Sequence, residues 1–569
     1  MTPLSAQQLL RRVAAAAALV ALGCTPARTA PGTADRYDII IENGRIVDGT
    51  GNPWFYGDVG LRGDRIVTVA PAGALATSSA PTRIDARGLV VAPGFIDIQG
   101  QSVDELTRGD GRLVSKVTQG VTTEILGEGS TPAPVNDAIM QANAFPDSAA
   151  SLIALFNRFR GEHGFGAWLA AMGAHRNSVN VGSYLGAETV RIYAMGQRKG
   201  VPTLAELDTM RAVVRHAMED GAFGFASALI YPPGSYATTR ELAEMAMAMR
   251  PYHGDYISHI RSEDDSLFEA MDEAFGIARD GGVSLTIYHL KTAERPNWGK
   301  ATRMLAKIDS ARAAGLDVAA TMYPYAASGN GLSSCLHDWV AEGGGLLTKL
   351  RDPAIRSKVV ADMLAEDACD PARAEHAVVG FHVDSLRKYE GWYIERIAAD
   401  MHRSLPDAII DLLLAEENRL GKINYSMSEA NVSLQLRRPW IVIGSDASGI
   451  DPDSAVGLTH PRAYGTFARV LRKYVREDSV MTLEEAVRRM SSATAARLHL
   501  RDRGLVREGL YADLVLFDPA TVADLATFEK PHQLSVGMKY VLVNGVAVVR
   551  DGKHTGATPG RVVYGPGRR

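Results

Sequence analysis

Short apolar runs alternate with amphipathic helical stretches along the middle of this chain, and this alternation constrains its fold more than any other feature. Helical periodicity occurs at 204–220, 239–252, 266–280 and 298–315. The apolar runs predict strands at 91–98, 121–126, 179–184, 222–229, 255–260, 284–290, 317–325 and 441–445. Strands that alternate with helices form a parallel sheet, and eight of them can close into a barrel. The sequence therefore predicts an α/β fold with a TIM-like (β/α)8 barrel over about 91–499.

Both ends of the chain carry a different pattern. Residues 37–51 and 58–70, and later 512–518 and 540–550, alternate apolar runs with Asn-Gly, Asp-Gly and similar turns. Each end alone is too little sheet to be stable. We therefore predict one small β-sandwich domain built from 37–90 and 500–569.

A long connection separates the last two predicted strands, at about 333–438. Connections of this length usually carry function, so we predict a substrate-covering lid, with an insertion that only pads the barrel as the alternative. Four aromatic residues there either line an acyl pocket or, as is more common, form core: Trp339, Tyr389, Trp392 and Tyr393. His253 and His337 are expected to be structural or exposed.

The first residues resemble an export signal. Arg11 and Arg12 precede the apolar run 13–24, so residues 1–24 are predicted to be a signal peptide. Ala21-Leu-Gly-Cys24 resembles a lipoprotein cleavage box, which would anchor the chain through a lipid on Cys24; plain cleavage and a twin-arginine route stay open. An amphipathic helix of the fold is the alternative. We expect an exported protein, either periplasmic or lipid-anchored to the cell envelope.

Composition narrows the partners and the redox chemistry. A net charge of -4 with a pI near 6.4 gives no bulk attraction to phosphate backbones, so nucleic acid is not expected as a partner. With Cys24 acylated, only Cys335 and Cys369 remain, which is too few for a disulfide framework. One structural disulfide between them is open in an oxidising compartment.

Each predicted barrel strand ends on a polar or ionisable residue, and the C-terminal ends of such strands meet at one rim. These residues are Gln99 and Gln101, Glu128, Ser183, Ser227, His259, His289, Tyr323 and Asp446. Carboxylates and imidazoles are the ligands that divalent transition metals use in proteins. Glu128, His259, His289 and Asp446 therefore form a plausible set of metal ligands.

Ordered motifs carry a family resemblance between about 37 and 563. Pro93-Gly-Phe-Ile-Asp97, Gly120-Val-Thr-Thr123 and Gly444-Ser-Asp446 resemble the amidohydrolase superfamily. Tyr231-Pro-Pro-Gly234, Ser258-His-Ile-Arg-Ser-Glu263, His289-Leu-Lys291, Tyr323-Pro-Tyr325 and His460-Pro-Arg-Ala-Tyr-Gly-Thr-Phe467 resemble the N-acyl-D-amino-acid deacylases, or D-aminoacylases. The resemblance implies a metal-dependent hydrolase.

The chain departs from this family at its metal ligands. Superfamily members usually have His-x-His on the first strand, where this chain has Gln99-Gly-Gln101, and amide oxygens are poor zinc ligands. D-aminoacylases commonly offer a cysteine where this chain has Glu128. We expect a single divalent metal, zinc by ligand type, held by Glu128, His259 and His289. Cobalt, manganese and iron stay open.

Roles are expected for four further residues. Asp446 fits the general base, because a carboxylate within hydrogen-bond reach can take the proton of a metal-activated water. By resemblance, Lys291, Tyr323 and Arg462 match positions that bind the substrate carboxylate. Lys291 follows His289 by two residues and would share its strand face if the strand extends that far. For Arg462 the alternative is a cation on a helix surface.

We expect hydrolysis of N-acyl amino acids, with D-substrates preferred by resemblance. A dipeptidase, an N-acyl-L-amino-acid hydrolase and a cyclic-amide hydrolase are alternatives. Gln99 and Gln101 also motivate an alternative of another class, a metal-free binding protein. The acyl chain, the amino-acid side chain and the oligomeric state are not predicted.

Overall fold

The structure is a computed structural model that describes residues 36–143, 145 and 149–569. The predicted signal peptide and Cys24 lie outside the described residues. Within these residues, no helix is both long enough and apolar enough to cross a membrane.

The two ends of the chain form one mixed sheet of nine strands. Its strands are Ile39–Ile46, Phe55–Arg62, Arg65–Pro71, Thr82–Asp85, Val90–Pro93, Leu514–Phe517, Met538–Val543, Val546–Arg550 and Lys553–His554. The N-terminal and C-terminal parts join where Val90–Pro93 pairs antiparallel with Leu514–Phe517. A hydrophobic cluster that draws on both parts packs on this sheet.

The predicted strand at 91–98 is wrong as a single element. It divides at Gly94 into Val90–Pro93, which belongs to the nine-stranded sheet, and Phe95–Asp97, which pairs in parallel with Val121–Leu126. The backbone at Gly94 lies so close to Thr122 that a Cβ atom on Gly94 would be 2.2 Å from Thr122 Oγ1. The sheet formed by the two chain ends therefore extends past residue 90, the residue at which the small domain was predicted to end.

The central strands form two parallel sheets in chain order. The first contains Phe95–Asp97, Val121–Leu126 and Asn180–Ser183; the second contains Leu185–Gly186, Gly224–Ala228, Asp255–His259, Ser284–Ile287, Val318–Met322 and Ile441–Ile443. Only Tyr184 separates the two sheets along the chain. At the opposite edge, Gly100 forms a parallel bridge to Ala447, just beyond the first and last strands. Ile96, Ile257 and Val442 belong to one buried cluster contributed by strands of both sheets.

Helices connect the central strands. The main ones are Gly164–Ala174, Ala187–Met195, Leu204–Asp220, Thr239–Met249, Leu267–Gly281, Ala301–Ala313, Glu429–Leu436, Arg462–Arg469, Leu483–Met490 and Ser492–Arg497. Shorter helices are Val103–Thr107, Val114–Val117, Asp137–Asn143 and Ala150–Asn157, and Val470–Glu477 is a π-helix. Leu204–Asp220 shows how the sequence sets the ends: Thr203 and Glu206 form a capping box, and Gly221 ends the helix at a φ of 111°.

The long connection forms a subdomain that begins earlier than predicted. Its sheet contains Ser328–Gly331, Glu375–Val379 and Gly421–Tyr425, so the insertion starts at Ser328 and not near 333. Its helices Leu346–Arg351, Pro353–Ala365, Ile394–Asp400 and Leu405–Ala415 enclose their own hydrophobic cluster. Cys335 and Cys369 form a disulfide bond, as the sequence left open.

Candidate active site

Glu128, His259 and His289 come together at the ends of three central strands. One ligand atom from each lies within 4.8 Å of the others, and this is the arrangement that could hold a metal ion. Glu128 Oε1 is 3.1 Å from His289 Nε2 and 3.4 Å from His259 Nδ1. Burial acts to raise the pKa of the Glu128 carboxyl, but the His289 charge and the histidine hydrogen bonds hold it well below its usual range. The carboxyl is therefore ionised, as a metal ligand must be.

The two residues next to Glu128 are glycines because the backbone there leaves no room for a side chain. Gly127 has a φ of 112°, and a Cβ atom there would lie 2.3 Å from the carbonyl oxygen of Tyr184. Gly129 has a φ of 71°, and its Cβ would lie 2.9 Å from that of Ala228. Only glycine combines these positive φ values with such close approach. The two glycines thus let the loop bring Glu128 to the histidines.

Gln99 and Gln101 contact Glu128 through their amide nitrogens. Gln99 Nε2 donates to Glu128 Oε2 at 2.8 Å, and Gln101 Nε2 donates to the same oxygen at 2.9 Å. Thr321 Oγ1 donates to Gln99 Oε1 at 2.7 Å, which fixes the orientation of that amide. The two glutamines therefore occupy one oxygen of Glu128 and leave the other directed at the histidines.

His289 is held from its other side by Glu263, a residue for which the sequence analysis predicted no role. Glu263 Oε1 lies 2.9 Å from His289 Nδ1 and accepts a hydrogen bond from Lys291 Nζ at 2.6 Å. Metal-binding histidines usually donate their second ring nitrogen to a carboxylate, which orients the ring. The signal in the sequence was the position of Glu263, four residues after His259 at a strand end.

The condition under which Lys291 would share a strand face with His289 is not met. The strand Ser284–Ile287 ends four residues before Lys291, and His289 has a φ of 31°. The chain therefore turns at His289, and Lys291 reaches the site from a loop. Its Nζ nevertheless lies 2.8 Å from His289 Nδ1 and lines the cavity.

Asp446 lines the same cavity as Glu128, His259 and His289 and contacts Arg462. Asp446 Oδ2 is 2.7 Å from Arg462 Nη1, and Gln101 Nε2 donates to Asp446 Oδ1 at 3.3 Å. Asp446 has a φ of 50°, a strained conformation of the kind that clusters at functional sites. Burial raises the pKa of its carboxyl, while Arg462 opposes the shift. A raised pKa suits a group that accepts and returns a proton.

Arg462 is the first residue of the helix Arg462–Arg469 and is buried. The alternative of a cation on a helix surface is therefore wrong. Its guanidinium lies 4.6 Å from the centre of the Tyr323 ring, and Lys291 Nζ lies 5.9 Å from the same centre. These three side chains form a cluster that would bind a carboxylate, which we call the carboxylate clamp.

One cavity of about 590 Å³ is lined by the ionisable side chains of the site together with Gln101 and Tyr323: Glu128, His259, Glu263, His289, Lys291, Asp446 and Arg462. Gln99 is buried and does not line it. Ser183 and Ser227 do not line it: Ser183 Oγ donates to the carbonyl oxygen of Tyr184, and Ser227 Oγ contacts Tyr256 Oη at 3.0 Å. Glu188 lines the cavity without having been predicted, and its Oε1 is buried without a hydrogen-bond partner among the described residues.

The discounted histidines and the aromatic residues of the insertion lie elsewhere. His253 and His337 are outside the cavity lining. Trp339, Tyr389 and Trp392 pack in the hydrophobic cluster of the insertion, so they form core and do not line this cavity. Tyr393 is 39% exposed and contacts Tyr425 instead.

The residues present fit a divalent metal. One carboxylate and two imidazoles are a donor set that zinc accepts, with a further position free for water. His259 Nε2 is buried and has no hydrogen-bond partner among the described residues, although Glu263 Oε2 lies 3.6 Å away, so a ring nitrogen is left available at the site. Amide nitrogens cannot bind a metal cation, and those of Gln99 and Gln101 already donate to Glu128. The geometry thus offers three metal ligands, an adjacent carboxylate and a cationic clamp.

Comparison with known proteins agrees with this chemistry. The sequence pattern of the amidohydrolase family matches residues 162–549. D-aminoacylase of Alcaligenes xylosoxydans xylosoxydans is 33% identical over 93% of this chain and 97% of its own length. N-acyl-D-glutamate deacylase of the same organism is 32% identical over 93% of this chain and 97% of its own length.

Solved structures give the same result. The crystal structure of N-acyl-D-glutamate deacylase from Bordetella bronchiseptica, in complex with zinc and a phosphonate inhibitor, aligns with a TM-score of 0.75. It is 32% identical to this chain, and the alignment covers 93% of this chain and all of the other. The resemblance to the N-acyl-D-amino-acid deacylases is confirmed, and the chain belongs to the amidohydrolase family.

Proposed function

We propose that this chain is a metal-dependent hydrolase that cleaves the amide bond of N-acyl-D-amino acids to give a carboxylate and a free amino acid. The observation that carries the proposal is the joint lining of one cavity by three metal ligands, Asp446 and the carboxylate clamp. The D-configuration rests on the names of three relatives that match over at least 92% of this chain: D-aminoacylase, N-acyl-D-glutamate deacylase and N-acyl-D-aspartate deacylase.

The side chains divide the reaction between them. A divalent metal, which we propose to be a single zinc ion held by Glu128, His259 and His289, supplies carbonyl polarisation and an acidified water. Arg462 and Lys291 hold the α-carboxylate of the substrate, and their positive charges orient the scissile amide toward Glu128. Asp446 accepts the proton of the attacking water and returns it to the departing amine nitrogen.

Arg462 links binding to proton transfer. It is paired with Asp446 at 2.7 Å, and its positive charge opposes the rise in pKa that burial causes at the Asp446 carboxyl. A substrate carboxylate that takes over the Arg462 guanidinium leaves Asp446 in a buried site with a weaker cationic partner. Its affinity for a proton then rises when the substrate is present.

The architecture belongs to the same proposal. The chain order of the central strands and the bridge between Gly100 and Ala447 support a closed (β/α)8 barrel. The sheet made from both ends of the chain is proposed to fold as the predicted sandwich, and the insertion, which lines the cavity through Ser328 and Asn330, is proposed to act as the lid.

Metal content and substrate choice test the proposal together. We expect one metal ion per chain by elemental analysis, lost in Glu128→Ala and kept in Glu269→Ala, which removes an exposed glutamate of the helix Leu267–Gly281. Matched N-acetyl-D-, N-acetyl-L- and dipeptide substrates should show the highest kcat/KM for the D-forms. Faster cleavage of the L-forms or of dipeptides would reject the assignment. A protein without metal and without turnover would favour the binding-protein alternative.

Export is proposed separately, from residues 1–24. We expect the mature chain in the cell-envelope fraction, with lipid on Cys24 if the cleavage box is used. Mass spectrometry of the mature N-terminus separates lipidation from plain cleavage. Recovery of the uncleaved chain from the cytosol would reject both.

A further inference from the structure

A second cavity, which we call the side cavity, adjoins the catalytic cavity. It has a volume of about 550 Å³, within the range of about 300 to 1,000 Å³ that small-molecule sites occupy. Four residues line both cavities: Gln101, Ser130, Glu188 and Ser448. Ser130 lies two residues after Glu128 on the same loop. The boundary between the two cavities therefore lies beside the metal ligands.

The side cavity and the carboxylate clamp lie beyond different strands. Lys291 of the clamp follows Ser284–Ile287, whereas Glu188 follows Leu185–Gly186 at the edge of the same sheet. Two strands of that sheet lie between them, and none of the three clamp residues lines the side cavity. A substrate with its α-carboxylate in the clamp and its amide at Glu128 thus directs its acyl group toward the side cavity.

Hydrogen bonds hold this boundary in place. Thr131 N donates to Thr189 Oγ1 at 2.8 Å, and Thr189 Oγ1 donates to the carbonyl oxygen of Thr131 at 2.8 Å. The backbone N–H of Glu188 donates to the carbonyl oxygen of Gly129 at 2.9 Å. The first turn of the helix Ala187–Met195 is thus fixed against the loop that carries the metal ligand, so the boundary is formed before any ligand arrives.

Apolar side chains from four helices line the side cavity beyond this boundary. They are Val103, Ile139, Ala142, Phe156 and Ile192. Ile192 lies four residues after Glu188, so the two side chains share one face of their helix. Val103, Phe156 and Ile192 are only partly buried. An apolar group in the side cavity would remove their remaining surface from water, which is favourable.

The side cavity offers no cation to a ligand. No lysine or arginine of the described part of the chain lines it. Asp104 is paired with Arg108 at 2.8 Å, whereas Glu105 and Glu188 take part in no ion pair of the described residues. Burial raises the pKa of Glu105 to about 7, so much of this carboxyl is uncharged at neutral pH. A carboxylate on an acyl group would find no counter-charge here, whereas a neutral chain needs none.

We propose that the side cavity is an acyl subsite that receives uncharged chains longer than acetyl, so that medium-length aliphatic acyl groups are preferred over acetyl and over acyl groups that carry a carboxylate. This inference rests on the proposed function. It names the acyl half of the substrate and leaves the amino-acid half to the carboxylate clamp.

A series of acyl chains on one D-amino acid provides the first test. The series contains the N-acetyl, N-butanoyl, N-hexanoyl and N-octanoyl derivatives, compared by kcat/KM. Each methylene that a site removes from water is worth about 3-fold to 4-fold. We therefore expect N-hexanoyl to exceed N-acetyl by about 10-fold or more. The N-succinyl derivative should be cleaved about 10-fold or more slowly than its isosteric amide, N-succinamoyl.

Two substitutions that fill the side cavity from different helices locate the effect. Ile192→Trp and Ala142→Phe should each lower the ratio of kcat/KM for N-hexanoyl to that for N-acetyl by about 10-fold or more. The matched control is Leu204→Trp, at a residue that is 73% exposed at the start of the helix Leu204–Asp220, and its ratio should equal that of the parent. Thermal melting shows which variants fold like the parent. A folded variant that keeps the parent ratio would overturn the inference.

The outcomes distinguish the inference from the proposed function. If the parent cleaves N-acetyl and N-hexanoyl substrates with equal kcat/KM, the inference is wrong and the proposed function stands. A preference for 4-aminobutanoyl over its methyl isostere pentanoyl would also overturn the inference, because the carboxyl groups and not the apolar side chains would then select the chain. If the parent cleaves no N-acyl-D-amino acid of any chain length, the proposed function fails, and the inference fails with it.

Discussion

Gln99 and Gln101 stand where superfamily members usually have metal-binding histidines. The substitution Gln101→Leu tests whether Gln101 stabilises the proposed metal site through its hydrogen bond to Glu128. Gln101 Nε2 donates to Glu128 Oε2 at 2.9 Å, so the variant removes a hydrogen bond to an ionised acceptor. Such a bond contributes about 1.5 to 3 kcal/mol. At about 1.4 kcal/mol for each factor of ten, the loss corresponds to roughly 10-fold to 150-fold in metal affinity. Removing a partner that orients a metal ligand typically costs 10-fold to 100-fold, which agrees.

Metal affinity is measured by competition with a chromophoric chelator, with elemental analysis to confirm the number of ions per chain. We expect weaker binding in Gln101→Leu without a change in that number, because Glu128, His259 and His289 all remain. The matched control is Gln435→Leu, at a buried glutamine of the helix Glu429–Leu436 whose amide oxygen has no partner within the part of the chain that the structure describes. Its metal affinity should equal that of the parent.

Two results would refute this reasoning. Unchanged metal affinity in Gln101→Leu would mean that the Glu128 carboxylate is oriented without the amide. A drop in the number of bound ions, from two to one, would mean that Gln101 is itself a ligand of a second metal. The first result would remove the physical role assigned to this glutamine, and the second would reject the mononuclear site.

Three further predictions concern the base, the insertion and the core below the site. Asp446→Asn should lower kcat by about 100-fold to 10,000-fold while the metal content measured by elemental analysis stays unchanged. Replacing Cys335 and Cys369 by serine opens a loop with a sequence separation of 34, which should lower the free energy of unfolding of the insertion by about 4 kcal/mol in urea titrations. Lys116 is fully buried and donates to Asp97 at 2.7 Å, so Lys116→Met should destabilise the protein by about 3 to 5 kcal/mol, measured by chemical unfolding.

Most elements of the central region follow from local pattern, because period and caps are local properties. The helix Leu204–Asp220 has the bounds that its periodicity predicts, and its ends are set by adjacent residues. Gly94 shows where this information stops. Apolar residues continue on both sides of it, but Val90–Pro93 pairs with Leu514–Phe517, over 400 residues later in the chain. A hydrophobic run does not record which distant strand it joins, so the two halves were predicted as one strand.

The grouping of the candidate metal ligands could be predicted from the sequence because of where they lie. Glu128, His259 and His289 lie at or just after the end of a central strand, and the parallel arrangement brings such residues to one rim. Glu263 was missed because it lies in a loop beyond that rim. Its position depends on the fold of the loop, and its contacts depend on three side chains that only the structure assembles around it: His259, His289 and Lys291. The same loop geometry made the strand-face argument for Lys291 fail, although the side chain is in the cavity.

The preferred substrate could not be predicted from the sequence for a related physical reason. Lys422 lies between Gly421 and Ile423 in the central strand of the insertion's small sheet, and these sequence neighbours do not distinguish it from a surface lysine. Its place near the catalytic cavity arises because Gly421–Tyr425 pairs with Ser328–Gly331, about 90 residues earlier, and it is Ser328–Gly331 that lines that cavity. The ends of the central strands place the candidate catalytic groups, whereas the pairing within the insertion decides which of its side chains line the same cavity. Substitutions at Ser328 and Asn330 should therefore change the preferred substrate without changing the metal content.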